Sequence, residues 1–253
     1  MIKLFLFLAG LCVGSFINVC IYRLPLNLSI VTPGSFCPNC KNKLKWYHNI
    51  PVFSYIFLKG QCAFCGKKIS VKYPLIEIIS GLIFIFNFAY FGLNLSFAIY
   101  LFFELLLLIV IVVDLEYMII PDEISIGGII AGFILAFFRN DLTWIDSILG
   151  IVIGGGILLF IIKGYYLLTG KEGMGGGDVK LLAMIGAFLG YKSLLFVVFI
   201  SSMLGTVIGV PLMLLKSKDV SYAIPFGPFL SIAAVIYIYA GQTIINWYLK
   251  LIM

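Results

Sequence analysis

Apolar runs long enough to cross a bilayer recur along the whole chain, with short polar segments between most of them. A spanning helix needs about 20 consecutive apolar residues. Because 62% of the 253 residues are hydrophobic and 11% are charged, an ordinary soluble domain is excluded. The sequence therefore predicts an all-α, polytopic membrane protein with about eight transmembrane helices. We predict these helices over residues 4–22, 73–91, 96–113, 124–138, 146–168, 192–215 and 226–248, with one more beginning at residue 178.

A single polar insert interrupts this pattern and divides the chain into three parts. We expect residues 1–22 to form the first transmembrane helix, residues 23–72 the insert, and residues 73–253 a seven-helix membrane domain. The insert holds eight of the seventeen Lys and Arg residues and no Asp or Glu. By the positive-inside rule, it should lie on the cytoplasmic side. Anionic lipid of the bilayer, or a leader peptide, is the expected partner of this basic segment, and nucleic acid is not.

The order of the helices then gives the side of each loop. Counting spans from the insert places Asp114 and Asp178 at the same, cytoplasmic boundary. Along this path thirteen Lys and Arg residues lie inside and four outside. This asymmetry indicates an even number of spans with both termini outside.

Four cysteines form two C-x-x-C pairs within the insert: Cys37 with Cys40, and Cys62 with Cys65. Two such knuckles at this separation are typical of one tetrahedral Zn²⁺ held by four thiolates. Four thiolates close the coordination shell, so the ion should be structural. A pair of disulfides or a redox centre is the alternative, which a cytoplasmic location disfavours.

Asp114 and Asp178 are ionisable groups at the ends of apolar segments. Such groups are costly beside a bilayer and are therefore candidate functional residues. Two carboxylates a few ångströms apart cannot both ionise, so they share one proton. The ionised member can then take a proton from water that attacks a peptide carbonyl, while the protonated member donates to the carbonyl oxygen.

The three glycines before Asp178 are Gly175, Gly176 and Gly177. Without side chains, they would let an extended substrate backbone come close to the carboxylate, so they are candidate substrate-binding residues. The alternative is a glycine hinge before a helix in which Asp178 serves only as the N-cap. The sequence spacing leaves both interpretations open.

Two other ionisable residues have no assigned role. His48 is the only histidine, and packing or an interfacial position is expected for it rather than proton transfer. Glu77, near the cytoplasmic end of its helix, would either contact substrate or a cation, or keep its carboxylate in water.

The order and spacing of several motifs resemble one known family. The Gly-x-Gly-Asp pattern at 175–178 is similar to that of the GxGD intramembrane aspartyl proteases, and its surroundings resemble the prepilin peptidase, or type IV leader peptidase, family. The matching segments are 14–18, 23–25, 35–40, 46–51, 60–62, 73–77, Asp114 with 120–122, 175–182 and 224–230. They extend over nearly the whole chain.

This resemblance implies a bifunctional enzyme of the cytoplasmic membrane. It would remove the basic leader of type IV prepilins, pseudopilins or competence pilin precursors on the cytoplasmic side. It would then methylate the new N-terminal residue, usually Phe, with S-adenosylmethionine. Asp114 and Asp178 match the family's catalytic pair, and the four insert cysteines match its zinc knuckles. Gln61 departs from the lysine found in many members, which puts the methylation in more doubt than the cleavage because the family links the insert to methyl transfer.

Three other functions compete with this one. A preflagellin-type peptidase would cleave without methylating. An ion or proton transporter would use Asp114, Asp178 and Glu77 as a path, although two of these carboxylates are predicted at one face instead of being spread in depth. A scaffold for a secretion machine would use the zinc knuckles alone.

Overall fold

The computed structural model describes residues 1–170, 175–215 and 224–252, and most of these residues outside the polar insert are helical. Two isolated bridges are the only β pairings in these three ranges. A short π-helical segment, Tyr237–Gly241, joins the last two helices. The α-helices are α1 (Ile2–Arg23), α2 (Phe53–Phe57), α3 (Lys72–Phe91), α4 (Leu95–Tyr117), α5 (Asp122–Ala136), α6 (Trp144–Thr169), α7 (Gly176–Leu189), α8 (Leu194–Leu215), α9 (Gly227–Ile236) and α10 (Gln242–Ile252).

Six helical segments among the described residues are long and apolar enough to cross a membrane. They are Ile2–Leu26, Lys72–Phe91, Leu95–Tyr117, Trp144–Thr169, Tyr191–Gly209 and Gly227–Leu251. The all-α, multi-pass class is therefore confirmed, but eight spans are not. The helices predicted at 124–138 and from 178 exist as α5 and α7, with 15 and 14 residues, and both are shorter than the roughly 20 that a span needs.

The charge count that gave the side of each loop extends beyond the described residues. Lys171, Glu172 and the loop containing Lys216, Lys218 and Asp219 fall outside them. The division into residues 1–22, 23–72 and 73–253 stays a prediction. The structure itself separates into two compact units, Met1–Leu105 and Leu106–Met253.

Close packing of α1 on α3 organises the first unit. A Cβ atom at Gly14 would lie 2.6 Å from the Cα of Glu77, so only glycine fits there. The Asn18 side chain donates a hydrogen bond to the Tyr73 carbonyl at 3.1 Å. Small residues and buried amides are the usual means by which membrane helices approach each other. The small and polar residues of α1 therefore serve its packing against α3 at these positions.

A small buried cluster of Leu6, Phe84 and Leu101 extends the same unit toward α4. Next to it in sequence, Glu104 is 4% exposed and accepts a hydrogen bond from Asn87. A buried carboxylate is tolerated when it is hydrogen-bonded in this way. These contacts hold α4 against α3 within the first unit.

The insert contains two knuckles with the same backbone hydrogen bonds. The N–H of Lys41 donates to the Cys37 carbonyl, and the N–H of Gly66 donates to the Cys62 carbonyl, both at 2.9 Å. Lys41 and Gly66 occupy equivalent positions with φ of 58° and 67°. Glycine adopts this left-handed conformation without the steric cost of a Cβ atom, so Gly66 suits the turn that closes the second knuckle.

Helix α7 is the buried centre of the second unit, where it packs against α5, α6 and α9. Every residue from Leu181 to Leu189 is buried. A Cβ atom at Gly150 of α6 would lie 2.1 Å from the Gly186 carbonyl oxygen, and one at Gly154 would lie 2.7 Å from that of Leu182. The two backbones are therefore in direct contact, and glycine is required on the α6 side.

Specific residues fix the ends of these two helices. Thr143 and Asp146 form a reciprocal capping box at the start of α6, with the Asp146 N–H 3.1 Å from the Thr143 hydroxyl. Helix α7 ends before Gly190, whose φ is 76°. Near that end, the Arg139 guanidinium donates to the Phe188 carbonyl at 2.6 Å. A cation at this position is also favoured by the helix dipole.

Candidate active site and metal centre

Asp114 lies in the last turn of α4, with only 5% of its surface exposed. The sequence predicted that this helix would end at residue 113, but α4 continues to Tyr117. The backbone N–H of Gly227 donates to Oδ2 of Asp114 at 3.0 Å. This bond joins two residues far apart in sequence and fixes one carboxylate oxygen.

Asp178 is half-buried in the first turn of α7, as its third residue. The N-cap is Gly175, and no side chain makes the capping hydrogen bond. The alternative in which Asp178 serves only as an N-cap is therefore wrong. Burial, and to a smaller extent the negative charge of Asp114, together raise the pKa of Asp178 to about 7.

The two aspartates are therefore close enough to interact electrostatically within the second unit. They come from the end of one helix and the start of another. A shared proton between such groups allows one to act as a base and the other as an acid near neutral pH. The arrangement is chemically suited to activating water against a carbonyl carbon.

Gly227 and Ile120 complete the surroundings of the pair, and the sequence analysis assigned neither a role. A Cβ atom at Gly227 would lie 2.6 Å from Oδ2 of Asp114, so a side chain there would displace the carboxylate. The Ile120 side chain would lie 3.2 Å from a Cβ at either Gly177 or Gly227. Both residues lie in segments that match the family, at 120–122 and 224–230. However, the residue pattern of these segments does not indicate a contact with Asp114.

The three glycines differ in their surroundings. No atom of the described residues lies within 4 Å of a Cβ built at Gly176, whereas Gly177 faces Ile120. Gly175 has an extended backbone with φ of −75°, and the next two residues begin α7. Their use in substrate binding stays a prediction.

A surface ion pair lies close to Asp178 in sequence. The Lys180 ammonium is 2.6 Å from Oδ1 of Asp122, and both side chains are largely exposed. An exposed pair of this kind contributes at most about 1 kcal/mol to stability. It links the first turns of α5 and α7.

The four predicted metal-ligating cysteines converge in the insert. The sulfur atoms of Cys37, Cys40, Cys62 and Cys65 all lie within 4.8 Å of one another, and all four are free thiols. The alternative of disulfides is therefore not supported. Four sulfurs around a Zn²⁺ at about 2.3 Å would stand about 3.8 Å apart, so the cluster can hold a metal ion of this kind.

Polar groups around Cys65 favour its thiolate form. Backbone hydrogen bonding by Lys67 and a side-chain hydrogen bond from Asn39 lower the pKa of Cys65 to about 6. The Lys67 ammonium in turn donates to the Asn39 side-chain oxygen at 2.9 Å. Thiolate, not thiol, is the form that binds metal.

Glu77 and His48 both lie in the first unit. Glu77 is 8% exposed and accepts a hydrogen bond from the Val52 N–H at 2.7 Å, so its carboxylate is not kept in water. His48 packs edge-on against Tyr47 and Phe64, at ring distances of 4.4 and 5.5 Å. The expectation of a packing role for His48 agrees with this position.

Taken together, the fold and these sites describe a multi-pass helical membrane protein with two neighbouring aspartates and four clustered cysteines that could hold a metal ion. Residues 8–91 match the bacterial peptidase A24 N-terminal domain, and residues 100–210 match the type IV leader peptidase family. The chain belongs to the type IV leader peptidase family.

Curated relatives agree with this assignment. The prepilin leader peptidase/N-methyltransferase of Aeromonas salmonicida (strain A449) is 33% identical over 272 residues, covering 98% of this chain and 94% of the relative. The protein of the same name from Legionella pneumophila is 33% identical over 266 residues, covering 96% and 92%. That from Myxococcus xanthus (strain DK1622) is 41% identical over 216 residues, covering 85% and 64%. No solved structure matches the chain.

Proposed function

We propose that this protein is a bifunctional prepilin peptidase, which removes the leader of a prepilin and then methylates the new N-terminus. Membership of the type IV leader peptidase family and the names of its relatives support both activities. The observation that carries the proteolytic half is that Ile120 lies 3.2 Å from Cβ positions at both Gly227, which binds Asp114, and Gly177, which precedes Asp178. The aspartate pair has the chemistry that peptide hydrolysis needs.

In this proposal the aspartate pair is the catalyst. The ionised carboxylate takes a proton from water as its oxygen bonds to the scissile carbonyl carbon, and the protonated carboxyl donates its proton to the carbonyl oxygen. Collapse of this intermediate breaks the C–N bond: the leaving amine takes a proton from the carboxyl that received one, and the other carboxylate takes back a hydroxyl proton of the intermediate, which restores the starting pair. Gly175, Gly176 and Gly177 would let the substrate backbone approach Asp178.

S-adenosylmethionine is the proposed methyl donor. The relatives' designation as N-methyltransferases requires a donor, and this molecule carries an activated methyl group on a sulfonium. The acceptor is the amine that cleavage releases, which must be neutral to act as a nucleophile. The same chain would therefore produce and consume the new N-terminus.

The proposed metal is one structural Zn²⁺ bound by Cys37, Cys40, Cys62 and Cys65. A shell of four thiolates leaves no open position for substrate, so the ion would stabilise the insert without taking part in either reaction. Metal binding commonly supplies much of the folding energy of a segment with little core.

The proposed substrates are type IV prepilins, pseudopilins or competence pilin precursors with basic leaders. The proposed location is the cytoplasmic membrane, with Asp114, Asp178 and the insert on the cytoplasmic side. The excess of cations in residues 23–72 supports this orientation. Anionic lipid is the expected partner of that surface.

Replacement of each aspartate tests the proteolytic half. Asp114→Asn and Asp178→Asn should each lower leader removal by at least about 10³-fold when the enzyme is co-expressed with a prepilin, because neither variant can share a proton between two carboxyls. Glu123→Gln, which removes an exposed charge from the first turn of α5, is the control and should cleave normally. Membrane fractionation shows whether each variant is inserted.

Processing by either inserted aspartate variant at the wild-type rate would exclude this catalytic pair. Mass spectrometry of the mature substrate distinguishes the bifunctional enzyme from a peptidase without methylation. We expect the first residue to be heavier by one methyl group.

A further inference from the structure

A cavity of about 460 Å³ lies within the first unit, between α1, α3 and the insert. All of its lining residues fall between Ser15 and Glu77, so it contains neither Asp114 nor Asp178. Its volume is within the range of about 300–1,000 Å³ that is usual for small-molecule sites. A bifunctional enzyme needs a second site, and this cavity is a candidate for it.

The cavity combines charges of both signs. Residues 1–76 contain no Asp or Glu, so Glu77 is the single carboxylate of the lining. Arg23, Lys67 and Lys68 also line it. A ligand that satisfies this arrangement carries a cation for Glu77 and an anion for the basic groups.

The Glu77 carboxylate and the Arg23 guanidinium, which line the cavity, are already held in place by hydrogen bonds. Oε2 of Glu77 accepts a hydrogen bond from the Val52 N–H at 2.7 Å, and a carboxylate has capacity for further donors. The Arg23 guanidinium donates to the carbonyls of Ser29 at 2.8 Å and Gly34 at 3.1 Å. Such preorganised groups lower the cost of ordering a site around its ligand.

Aromatic rings form much of the remaining lining. Tyr22, Phe36, Tyr55 and Tyr73 contribute to it, together with His48, whose Nδ1 is buried with no hydrogen-bond partner among the described residues. Aromatic rings attract sulfonium and ammonium cations and also stack on flat heterocycles. The lining therefore suits a ligand with a cationic centre, a carboxylate and an aromatic base.

We propose that this cavity binds S-adenosylmethionine, with the Glu77 carboxylate facing the cationic sulfonium. The proposal rests on the methyltransferase function proposed above. S-adenosylmethionine has a cationic centre, a carboxylate and an aromatic base, which are the three groups that this lining can bind. The N-terminal Phe of a mature pilin has a cation and a ring but no free carboxylate at that end. In this proposal, Glu77 is a residue that binds the methyl donor.

The sulfonium charge provides a direct test, because S-adenosylhomocysteine has the same shape without that charge. Full-length enzyme in nanodiscs is titrated with each ligand by calorimetry, as wild type and as Glu77→Gln. We expect Glu77→Gln to weaken binding of S-adenosylmethionine at least tenfold and of S-adenosylhomocysteine by less than about threefold. Leader removal by Glu77→Gln should stay near the wild-type rate, which shows that the variant is folded.

Glu104→Gln is the matched control. Glu104 is also buried in the first unit, but it is hydrogen-bonded to Asn87 and does not line the cavity. Its replacement should leave both affinities unchanged. Val19→Phe, which adds volume to the lining without removing a charge, should weaken both ligands at least about tenfold.

Unchanged affinities in both Glu77→Gln and Val19→Phe, with wild type binding normally, would overturn the cavity assignment. Equal weakening of the two ligands by Glu77→Gln would overturn the contact with the sulfonium. If wild-type enzyme that removes leaders bound neither ligand and methylated nothing, the proposed donor itself would be wrong. These results separate a failure of the site from a failure of the function.

Discussion

At the scale of single residues, the backbone of Gly227 limits where the Asp114 carboxylate can lie. The N–H of Gly227 donates to Oδ2, and the absence of a side chain makes space for that oxygen. A carboxylate with one oxygen fixed in this way presents the other in a defined direction. Position matters because a misplacement of about 1 Å can lower a reaction rate about 10²-fold.

Gly227→Ala should therefore lower kcat for leader removal about 10²-fold, with a smaller change in KM. Its Cβ atom would lie 2.6 Å from Oδ2 of Asp114 and displace the carboxylate. The control is Gly205→Ala in α8, whose Cβ would lie at an ordinary 3.6 Å from Phe229. Steady-state kinetics on a prepilin peptide measures both variants. Normal turnover by Gly227→Ala would show that this contact does not position Asp114.

The raised pKa of Asp178 predicts a pH dependence. An ordinary aspartate loses its proton near pH 4, whereas Asp178, with a pKa of about 7, keeps its proton up to near-neutral pH. Leader removal should therefore fall as the pH rises above about 7, because the proton needed by the acid is then lost. In infrared spectra, a protonated carboxyl band should disappear around that pH. The band should be missing from Asp178→Asn, and a transition near pH 4 instead would contradict the assignment.

At the scale of the helices, α7 carries Asp178 on a rigid support. The helix is buried from Leu181 to Leu189 and contacts α6 backbone to backbone at Gly150 and Gly186. Its first turn, which holds Asp178, is less buried than the rest. The proposed catalytic residue thus extends from a closely packed helix at its more accessible end.

Gly186→Ala should destabilise the protein by about 3 kcal/mol or more, because its Cβ would lie 2.1 Å from the Gly150 carbonyl oxygen and neither backbone can move without repacking. Gly156→Ala in α6 is the control, since nothing in the described residues lies within 4 Å of its Cβ. Alanine favours a helix over glycine by about 1 kcal/mol, so this variant should be as stable as wild type or more stable. Thermal unfolding in detergent compares them. Equal melting temperatures would contradict the close packing.

At the scale of the whole molecule, the chain has two compact units with different chemistry. The first contains the cysteine cluster and the cavity, and the second contains Asp114 and Asp178. Cys37 and Cys62 both line the cavity, so the cysteine cluster and the cavity are directly connected. The two proposed activities therefore depend on different sets of residues.

Loss of the metal should separate the two activities. In Cys40→Ser, bound zinc should fall from about one equivalent to below about 0.2, because a tetrahedral site loses one of its four ligands. Methylation should fall at least about tenfold, while leader removal stays within about threefold of wild type. Cys12→Ser in α1, outside the cluster, is the control. Parallel loss of both activities in Cys40→Ser would contradict this separation.

Much of the architecture follows from local properties of the sequence. Helices α1, α3, α4, α6 and α8 and the C-terminal helical segment begin and end within a few residues of their predicted limits. The cysteine cluster was predictable too, because each knuckle closes through hydrogen bonds within a few residues. Helix limits depend on hydropathy, and knuckle turns depend on contacts between near neighbours in sequence. Both can therefore be predicted without knowing the distant contacts.

Other features depend on residues that are distant in sequence. The bond from Gly227 to Asp114 and the contact of Gly150 with Gly186 follow from helix packing, which no local pattern specifies. Composition and local patterns were sufficient to predict an all-helical membrane protein with four clustered cysteines and two candidate aspartates. The three-dimensional fold was needed to show that α5 and α7 are shorter than a span, that the two aspartates are neighbours, and that Glu77 lines a cavity. The physical reason is that burial and proximity are properties of packed elements and not of the segments that form them.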